Sequence, residues 1–228
     1  MATRKTSSAK KSGAKKSGAK KSGPTIVLLV RHGRTGTTGS VLPGRAPGLH
    51  LSDEGRSQAE GAAERIAPLG PTAIYASPME RTRETAAPIA RAAGLRVRQA
   101  HGLIECDFGE WTGKKLATLR RKPEWNAVQH SPSVFTFPGG ESFAGMQQRI
   151  WSQLEGLVGD HPGETIVAVS HADPIKAAIA MASGVHLDNF QRLVVSPCSV
   201  TALLFGAGAP IVLCVNTTDG SLKEMAVS

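Results

Sequence analysis

Three short apolar runs in this sequence are each followed closely by side chains that could do chemistry. Arg31 and His32 come directly after the first run, and Ser170 and His171 come directly after the last. Arg81 follows the middle run by a few residues. Guanidinium groups present forks of N–H donors that match phosphate oxygens, and imidazole can serve as a nucleophile or a proton carrier. These residue types therefore predict chemistry on an anionic, phosphate-like group.

The apolar runs span residues 25–30, 73–76 and 165–169 and show no polar alternation. Such runs are typical of strands buried on both faces of a parallel sheet. Ligands bind beyond the carboxyl ends of strands in an open α/β sheet, so the polar side chains are expected to meet there. A metal site using His32 and His171 is disfavoured, because two arginines repel a cation and neither histidine has HxxxH or HxH spacing. We expect no metal and no other cofactor.

Helices are expected between these strands. Ser52 is a good N-cap for the first, Ser77-Pro78 should begin the second, and Pro88 should kink or break it. An apolar stripe at helical spacing predicts a further helix over residues 142–158. The remaining expected elements are a helix from 174 to 183 and strands over residues 95–98, 200–205 and 211–215. Alternating strands and helices predict an α/β fold, a three-layer αβα sandwich with a mostly parallel central sheet.

Residues 1–24 form a basic tail ahead of an expected domain over residues 25–228. The tail holds eight of the 27 basic residues and none of the 18 acidic ones, and residues 9–23 are three copies of Ala-Lys-Lys-Ser-Gly. With no apolar side chains to bury, such a repeat is expected to be disordered. Two interpretations stay open: a weak, salt-dependent contact with nucleic acid or another polyanion, and a dispensable extension.

Composition also bears on the compartment. No apolar run approaches the roughly 18 residues that a membrane-spanning helix needs, and residues 1–24 contain no apolar stretch of the kind found in secretory signals. Cys106, Cys198 and Cys214 lie far apart without CxxC spacing, which argues against a disulfide framework. We therefore expect a cytoplasmic protein without membrane contact.

Five segments in order carry a resemblance to a known family. Arg-His-Gly alone is a weak signal, but the ordered set is specific and covers nearly all of the expected domain. The sequence resembles the histidine phosphatase superfamily, with its phosphoglycerate mutase-like fold. The segments are Leu-Val-Arg-His-Gly-Arg-Thr (29–35), Leu-Ser-Asp-Glu-Gly-Arg-Ser-Gln-Ala (51–59), Ala-Ser-Pro-Met-Glu-Arg-Thr-Arg-Glu-Thr-Ala (76–86), Leu-Ile-Glu-Cys-Asp-Phe-Gly-Glu-Trp-Thr-Gly (103–113) and Val-Ser-His-Ala (169–172).

The resemblance implies a role for each matched polar residue. His32 would be the nucleophile that becomes phosphohistidine, which water then hydrolyses. Arg31, Arg81 and His171 would bind the phosphoryl oxygens and stabilise the charge of the transition state. Glu105 would protonate the leaving oxygen and then activate water. Neighbouring arginines favour the neutral imidazole that the nucleophile requires, because they disfavour a further positive charge.

Several positions leave questions open. Asp107 and Glu110 are rivals to Glu105 as the acid, although the position of Glu105 in Leu-x-Glu…Gly-x-Trp favours it. The aromatic residues of this stretch could line a substrate pocket or simply pack in the core. These residues are Phe108, Trp111, Trp125, Phe135 and Phe137.

The sequence also departs from the family pattern. Arg34 stands where relatives often carry Glu or Gln. Thr38 stands where many carry an Asn that touches the phosphate, so Thr38 is kept as a candidate phosphate ligand. Ala172 replaces the usual Gly after the second histidine and still offers its backbone N–H to the phosphate. Asp173 then brings a negative charge near the expected pocket.

The resemblance implies a metal-independent phosphatase acting on a small phosphate monoester. A phosphoglycerate-mutase-type phosphomutase is an alternative, although mutases typically have a longer body with an extra lid. A weakly catalytic module that binds a phosphorylated ligand is a second alternative, but pure binding would not need an acid opposite the leaving group. Relatives commonly dimerise, so a homodimer is also expected.

Overall fold

The computed structural model describes residues 23–222, so residues 1–22 of the expected tail lie outside the described part. The expectations of tail disorder, polyanion contact and a homodimer therefore stay predictions. The strands are β1 (Thr25–Arg31), β2 (Ala73–Ala76), β3 (Val97–Gln99), β4 (Thr165–Ser170), β5 (Val200–Phe205) and β6 (Ile211–Thr217). The helices are α1 (Asp53–Ile66), α2 (Glu80–Ala93), α3 (Leu116–Leu119), α4 (Trp125–His130), α5 (Phe143–Asp160) and α6 (Ala172–Ala182).

The six strands form one sheet in the order β3-β2-β4-β1-β5-β6. The first four strands in that order are parallel, whereas β5 pairs antiparallel with β1 and β6 pairs antiparallel with β5. Arg31 lies opposite Ser170, and Ala76 lies opposite Val169, so β1, β2 and β4 end at the same level. The register thus brings the three polar clusters to one edge of the sheet.

Alternate side chains of β1 enter two separate cores. Val27 and Leu29 belong to the core that α5 and α6 cover. Leu28 and Val30 point to the opposite face, where they pack in the core that α1 and α2 cover. All four side chains are fully buried. A strand without polar alternation is therefore buried on both faces, which confirms the three-layer sandwich with a mostly parallel sheet.

The predicted helices form with two corrections. Ser52 caps α1 as expected, because its hydroxyl accepts the N–H of Gly55 at 3.1 Å. Helix α2 begins at Glu80 and not at the Ser77-Pro78 pair, and it continues past Pro88 without a break. The expected break is wrong because the neighbouring residues of this helix pack tightly in the core against α1 and the sheet, which outweighs the missing proline N–H.

The long stretch between β3 and α5 contains only α3, α4 and short 3-10 turns. Its aromatic side chains pack together, with Phe137 at their centre: the Phe137 ring lies 4.9 Å from Phe108, 5.4 Å from Trp111 and 5.0 Å from Phe135, centroid to centroid. Packing is therefore the main role of these rings. Phe108, Phe137 and Trp125 also line a cavity that is described below.

Residues 23–222 also bear on the predictions about membrane-spanning helices and disulfide bonds. Within residues 23–222, no helix combines the length and the apolar character needed to cross a bilayer. Cys106 and Cys198 are buried free thiols, and Cys214 is of intermediate exposure. The cytoplasmic location stays a prediction.

Candidate active site

Backbone hydrogen bonds fix the polar residues that follow β1 and β2. The His32 N–H donates to the Ser170 carbonyl at 3.0 Å, and the Ser77 N–H donates to the Val169 carbonyl at 3.0 Å. Each bond extends the parallel pairing with β4 by one residue. The side chains of His32, Ser77 and His171 are consequently held by the sheet itself and not by a mobile loop.

His32 is held as a neutral imidazole with one free ring nitrogen. Its Nδ1 lies 2.8 Å from the Gly33 carbonyl, which can only accept, so Nδ1 carries the proton and Nε2 carries the lone pair. The side chain is buried, with 6% exposed. Burial, followed by the charges of Arg81 and Arg31, lowers the pKa of His32 to about 3. The ring is therefore uncharged at neutral pH, as a nucleophile requires.

His171 lies beside His32, with 5.2 Å between the ring centroids, and is fully buried. Its Nδ1 accepts from Arg81 Nη2 at 3.1 Å, since a guanidinium can only donate. The neutral ring then carries its proton on Nε2, which donates to Ser77 Oγ at 2.8 Å. Burial, together with the Arg81 charge, holds the pKa of His171 well below its usual range.

Ser77 is a site residue that the sequence interpretation missed as such. The sequence places it at a strand end and at the start of a helix without a role in the site, but its buried hydroxyl holds His171 in place. The available signal was its position directly after the β2 run, because His32 and His171 also come directly after strands.

Arg31 and Arg81 each carry both hydrogen-bonded and unpaired buried donors. Arg31 donates from Nη1 to the Val195 carbonyl at 2.6 Å, and Arg81 donates from Nη2 to the Gly44 carbonyl at 2.8 Å. Within residues 23–222, Arg31 Nε and both Nε and Nη1 of Arg81 are buried without a hydrogen-bond partner. Unpaired buried donors are costly, so this arrangement suits an anion that supplies acceptor oxygens.

Glu105 lies against this cluster, with its Oε2 3.8 Å from His171 Nδ1 and only 7% of the residue exposed. Burial and the negative charge of Asp173 raise the pKa of Glu105 to about 7, although Arg81 acts in the opposite direction. A carboxyl group with this pKa can both give and take a proton near neutral pH. Among its rivals, Asp107 is 41% exposed and ion-paired with Arg45, and Glu110 is exposed on the surface.

An ion-pair network holds the backbone at Glu105. Arg45 donates to the Glu105 carbonyl at 2.8 Å, and Arg149 donates to it at 3.4 Å. Both guanidinium groups also bind the Glu141 carboxylate, at 3.0 Å from Arg45 and at 2.8 and 2.9 Å from Arg149. None of these three supporting residues was singled out from the sequence, because nothing local marks two arginines and a glutamate as partners.

The loop that carries His32 rests directly on the first turn of α1. A Cβ on Gly33 would lie 2.5 Å from the Gly55 carbonyl oxygen, and a Cβ on Gly55 would lie 2.0 Å from the Arg34 carbonyl oxygen. The Gly33 N–H also donates to Thr85 Oγ1 at 3.0 Å. The matched segment at residues 51–59 therefore supports the loop that carries His32.

Three other residues that the sequence analysis singled out are Thr38, Ala172 and Arg34. Thr38 Oγ1 accepts the Thr35 N–H at 2.9 Å, so this hydroxyl belongs to a turn. Ala172 is the first residue of α6. The phosphate contacts expected of Thr38 and Ala172 stay predictions. Arg34 is exposed and pairs with Glu54 at 3.2 Å, away from the buried cluster.

The side chains of this site do not form a metal-binding cluster with one another. No group of three or more His, Cys, Asp and Glu side chains suited to a metal ion is found in the described part of the chain. The cations at this site are the guanidinium groups of Arg31 and Arg81, whose charge is available to a phosphate. Metal independence stays a prediction.

Comparison with known proteins defines the class. A family model of the histidine phosphatase superfamily (branch 1) matches residues 27–218. The chain therefore belongs to the histidine phosphatase superfamily, as its motifs suggested.

Individual relatives add detail. The chain is 33% identical over 198 residues to the bifunctional protein Rv2228c of Mycobacterium tuberculosis, covering 86% of this chain and 54% of that protein. It thus spans about half the length of the first curated relatives that it matches. It is also 32% identical over 197 residues to phosphoserine phosphatase 1 of Hydrogenobacter thermophilus, covering 84% of this chain and 92% of that enzyme. The solved structure of mycobacterial glucosyl-3-phosphoglycerate phosphatase Rv2419c superposes with a TM-score of 0.76 at 25% identity, covering 85% of this chain and 99% of that one.

Proposed function

We propose that this protein hydrolyses a small phosphate monoester through a phosphohistidine at His32. The observation that carries the proposal is the convergence of a neutral, buried His32 with the unpaired guanidinium donors of Arg31 and Arg81. Relatives that are phosphatases by name support the same reaction class.

The first step transfers the phosphoryl group to the enzyme. The phosphate oxygens take the open donors of Arg31 and Arg81, and His32 Nε2 attacks phosphorus from within the buried site. The bond from phosphorus to the ester oxygen breaks, and Glu105 gives its proton to that oxygen so that a neutral alcohol leaves. The guanidinium groups stabilise the charge on the phosphoryl oxygens during transfer.

The second step regenerates the enzyme. Glu105, now a carboxylate, takes a proton from a water molecule as that water attacks the phosphohistidine. The bond between phosphorus and His32 Nε2 breaks, inorganic phosphate forms, and the nitrogen recovers its lone pair. Because Glu105 has a pKa of about 7, it is suited to both directions of proton transfer.

The test is release of inorganic phosphate from a panel of phosphate monoesters in the presence of a chelator. Wild type and the control variant His130→Ala, which changes an exposed histidine, should both release phosphate. His32→Ala should lower turnover by at least about 1,000-fold, because the nucleophile is lost, while circular dichroism shows an intact fold. Wild type mixed with labelled substrate should also form an acid-labile phosphoprotein.

Each other outcome rejects a specific part of the proposal. Retained activity in well-folded His32→Ala would show that His32 is not the nucleophile. Loss of wild-type activity with the chelator would reject metal independence. An isomeric phosphate ester in place of free phosphate would identify a mutase, and binding without turnover would identify a binding module.

A further inference from the structure

A cavity of about 290 Å³ lies between α6 and the short helices α3 and α4, and its lining includes Asp173, which comes two residues after His171. One side of the cavity is aromatic and includes Phe108, Trp125 and Phe137. The other side is polar and includes Asp173 and Lys176 of α6. A cavity of this size that combines apolar walls with a few fixed polar groups is typical of a small-molecule site.

The two charged residues lie side by side in a fixed arrangement. Asp173 Oδ1 is 3.5 Å from Lys176 Nζ, and their side chains are only 18% and 16% exposed. Lys176 Nζ also donates to Gln191 Oε1 at 3.1 Å, and this glutamine lines the same cavity. An ammonium group has three N–H donors, so Lys176 keeps a donor for a ligand.

The charged residues alternate in sign from the guanidinium groups of Arg31 and Arg81 through Asp173 to Lys176. Arg31 and Arg81 supply positive charge at the phosphate end. Asp173 comes next and lies close enough for its negative charge to act on both Arg31 and Glu105. Lys176 follows three residues, or about 4.5 Å, further along α6. Arg120 adds positive charge at the exposed rim of the cavity.

We propose that this cavity selects an O-phosphorylated α-amino acid, with its ammonium group on Asp173 and its carboxylate on Lys176. Such a substrate carries phosphate, ammonium and carboxylate in sequence, which complements the alternation of positive, negative and positive charge in the protein. Its carbon atoms would pack against the aromatic wall. This inference rests on the proposed phosphatase function and names the substrate class of that site.

Four matched monoesters separate the two contacts. O-Phosphoserine carries both head groups, phosphoethanolamine lacks the carboxylate, 3-phosphoglycerate has a hydroxyl in place of the ammonium, and glycerol 3-phosphate has neither. For wild type, kcat/KM for O-phosphoserine should exceed that for each singly altered substrate by about tenfold or more, which is typical of one charge-assisted contact. Glycerol 3-phosphate should be the poorest of the four.

Two variants test the residues. Lys176→Met should lower kcat/KM by about tenfold for O-phosphoserine and 3-phosphoglycerate but leave phosphoethanolamine within about twofold. Asp173→Asn should lower kcat/KM for O-phosphoserine and phosphoethanolamine, each taken relative to glycerol 3-phosphate, because Asp173 also acts on Glu105. Lys114→Met removes an exposed lysine that lies outside the cavity lining and should change none of the four values.

The outcomes separate this inference from the proposed function. Hydrolysis of all four substrates at similar rates, abolished in His32→Ala, would support the phosphatase and overturn the amino-acid assignment. Equal losses on all four substrates in Lys176→Met would also overturn it, because a structural role would not depend on the carboxylate. Preference for 3-phosphoglycerate over O-phosphoserine would overturn the ammonium contact. Hydrolysis of none of the four, with phosphate still released from another monoester of the panel, would overturn the amino-acid assignment alone. Release of phosphate from no monoester of the panel would overturn both proposals.

Discussion

The phosphate end and the cavity end of this site are built in different ways. At the phosphate end, His32 and His171 follow directly after β1 and β4, and Arg81 is fully buried in the first turn of α2. At the cavity end, much of the wall comes from the irregular stretch between β3 and α5, and Asp173 and Lys176 remain partly exposed.

This difference indicates which end of the site fixes the geometry of the reaction and which end selects the substrate. Side chains that a sheet edge holds from several sides keep a fixed geometry, which phosphoryl transfer needs. A wall made of turns and short helices tolerates sequence change, so it can adapt the same chemistry to a particular alcohol. Changes at the phosphate end should therefore affect every substrate alike, whereas changes in the cavity should depend on the substrate.

The largest effect is expected from Arg81→Lys, which keeps the charge but removes the guanidinium fork. We expect kcat/KM to fall by about 100- to 1,000-fold, as when a main stabiliser of transition-state charge is lost. The fall should be the same, within about threefold, for all four monoesters. Arg83→Lys, at an exposed position of the same helix, is the control and should retain activity. Substrate-dependent losses in Arg81→Lys would contradict the division between the two ends.

Gly55→Ala tests the support that α1 gives to the loop that carries His32. Its Cβ would lie 2.0 Å from the Arg34 carbonyl oxygen, so the loop or α1 must shift. We expect the free energy of unfolding to fall by at least about 2 kcal/mol, with a loss of activity on every substrate. Gly61→Ala in the same helix has no atom within 4 Å of its Cβ and should raise stability by about 0.5–1 kcal/mol. Denaturant titration measures both, and equal effects would reject the close contact.

The pH profile of kcat/KM tests Glu105 as the acid. In the proposed mechanism Glu105 must be protonated for the first step, and its pKa of about 7 predicts that kcat/KM falls as the pH rises above 7. The negative charge of Asp173 disfavours the ionised form of Glu105, so Asp173→Asn should lower this pKa and move the fall to lower pH. With glycerol 3-phosphate, the ionisation of the substrate is the same for both proteins. An unmoved profile would show that the Asp173 charge does not act on the catalytic acid.

The smallest effect is expected at Thr38. Thr38→Val removes one neutral hydroxyl, and kcat/KM should fall by about 2- to 10-fold for all substrates if that hydroxyl binds phosphate. Thr38→Ser keeps the hydroxyl and should retain activity. Unchanged kinetics in Thr38→Val, with lower stability alone, would limit this hydroxyl to the turn with Thr35.

Much of the fold follows from local pattern. The runs at residues 25–30, 73–76 and 165–169 become β1, β2 and β4 because a stretch without polar alternation can be stable only with both faces covered. Predictions that rested on one residue were less accurate than predictions that rested on a pattern of several residues. Pro88 does not break α2, because the packing of a whole helix outweighs one missing hydrogen bond.

The candidate site was predictable where a residue's role depends on its own type and on the strand before it. This condition holds for Arg31, His32 and His171, which lie at strand ends. It also holds for Arg81, which lies in the first turn of the helix that follows β2. Ser77, Arg45, Arg149 and Glu141 do not, because each acts through a partner that is distant in the chain.

The sequence by itself determined the buried strands, the polar groups at their ends and the superfamily, since these depend on residue type and local order. Only the tertiary structure decided the sheet order that places β4 between β1 and β2 and so brings His171 against His32 and Arg81. It also decided that Glu105 is buried, which raises its pKa to about 7, while the Asp107 side chain is 41% exposed and pairs with Arg45. It decided as well that Asp173 and Lys176 face one cavity. These properties arise from burial and from contacts between distant residues, which no local pattern encodes.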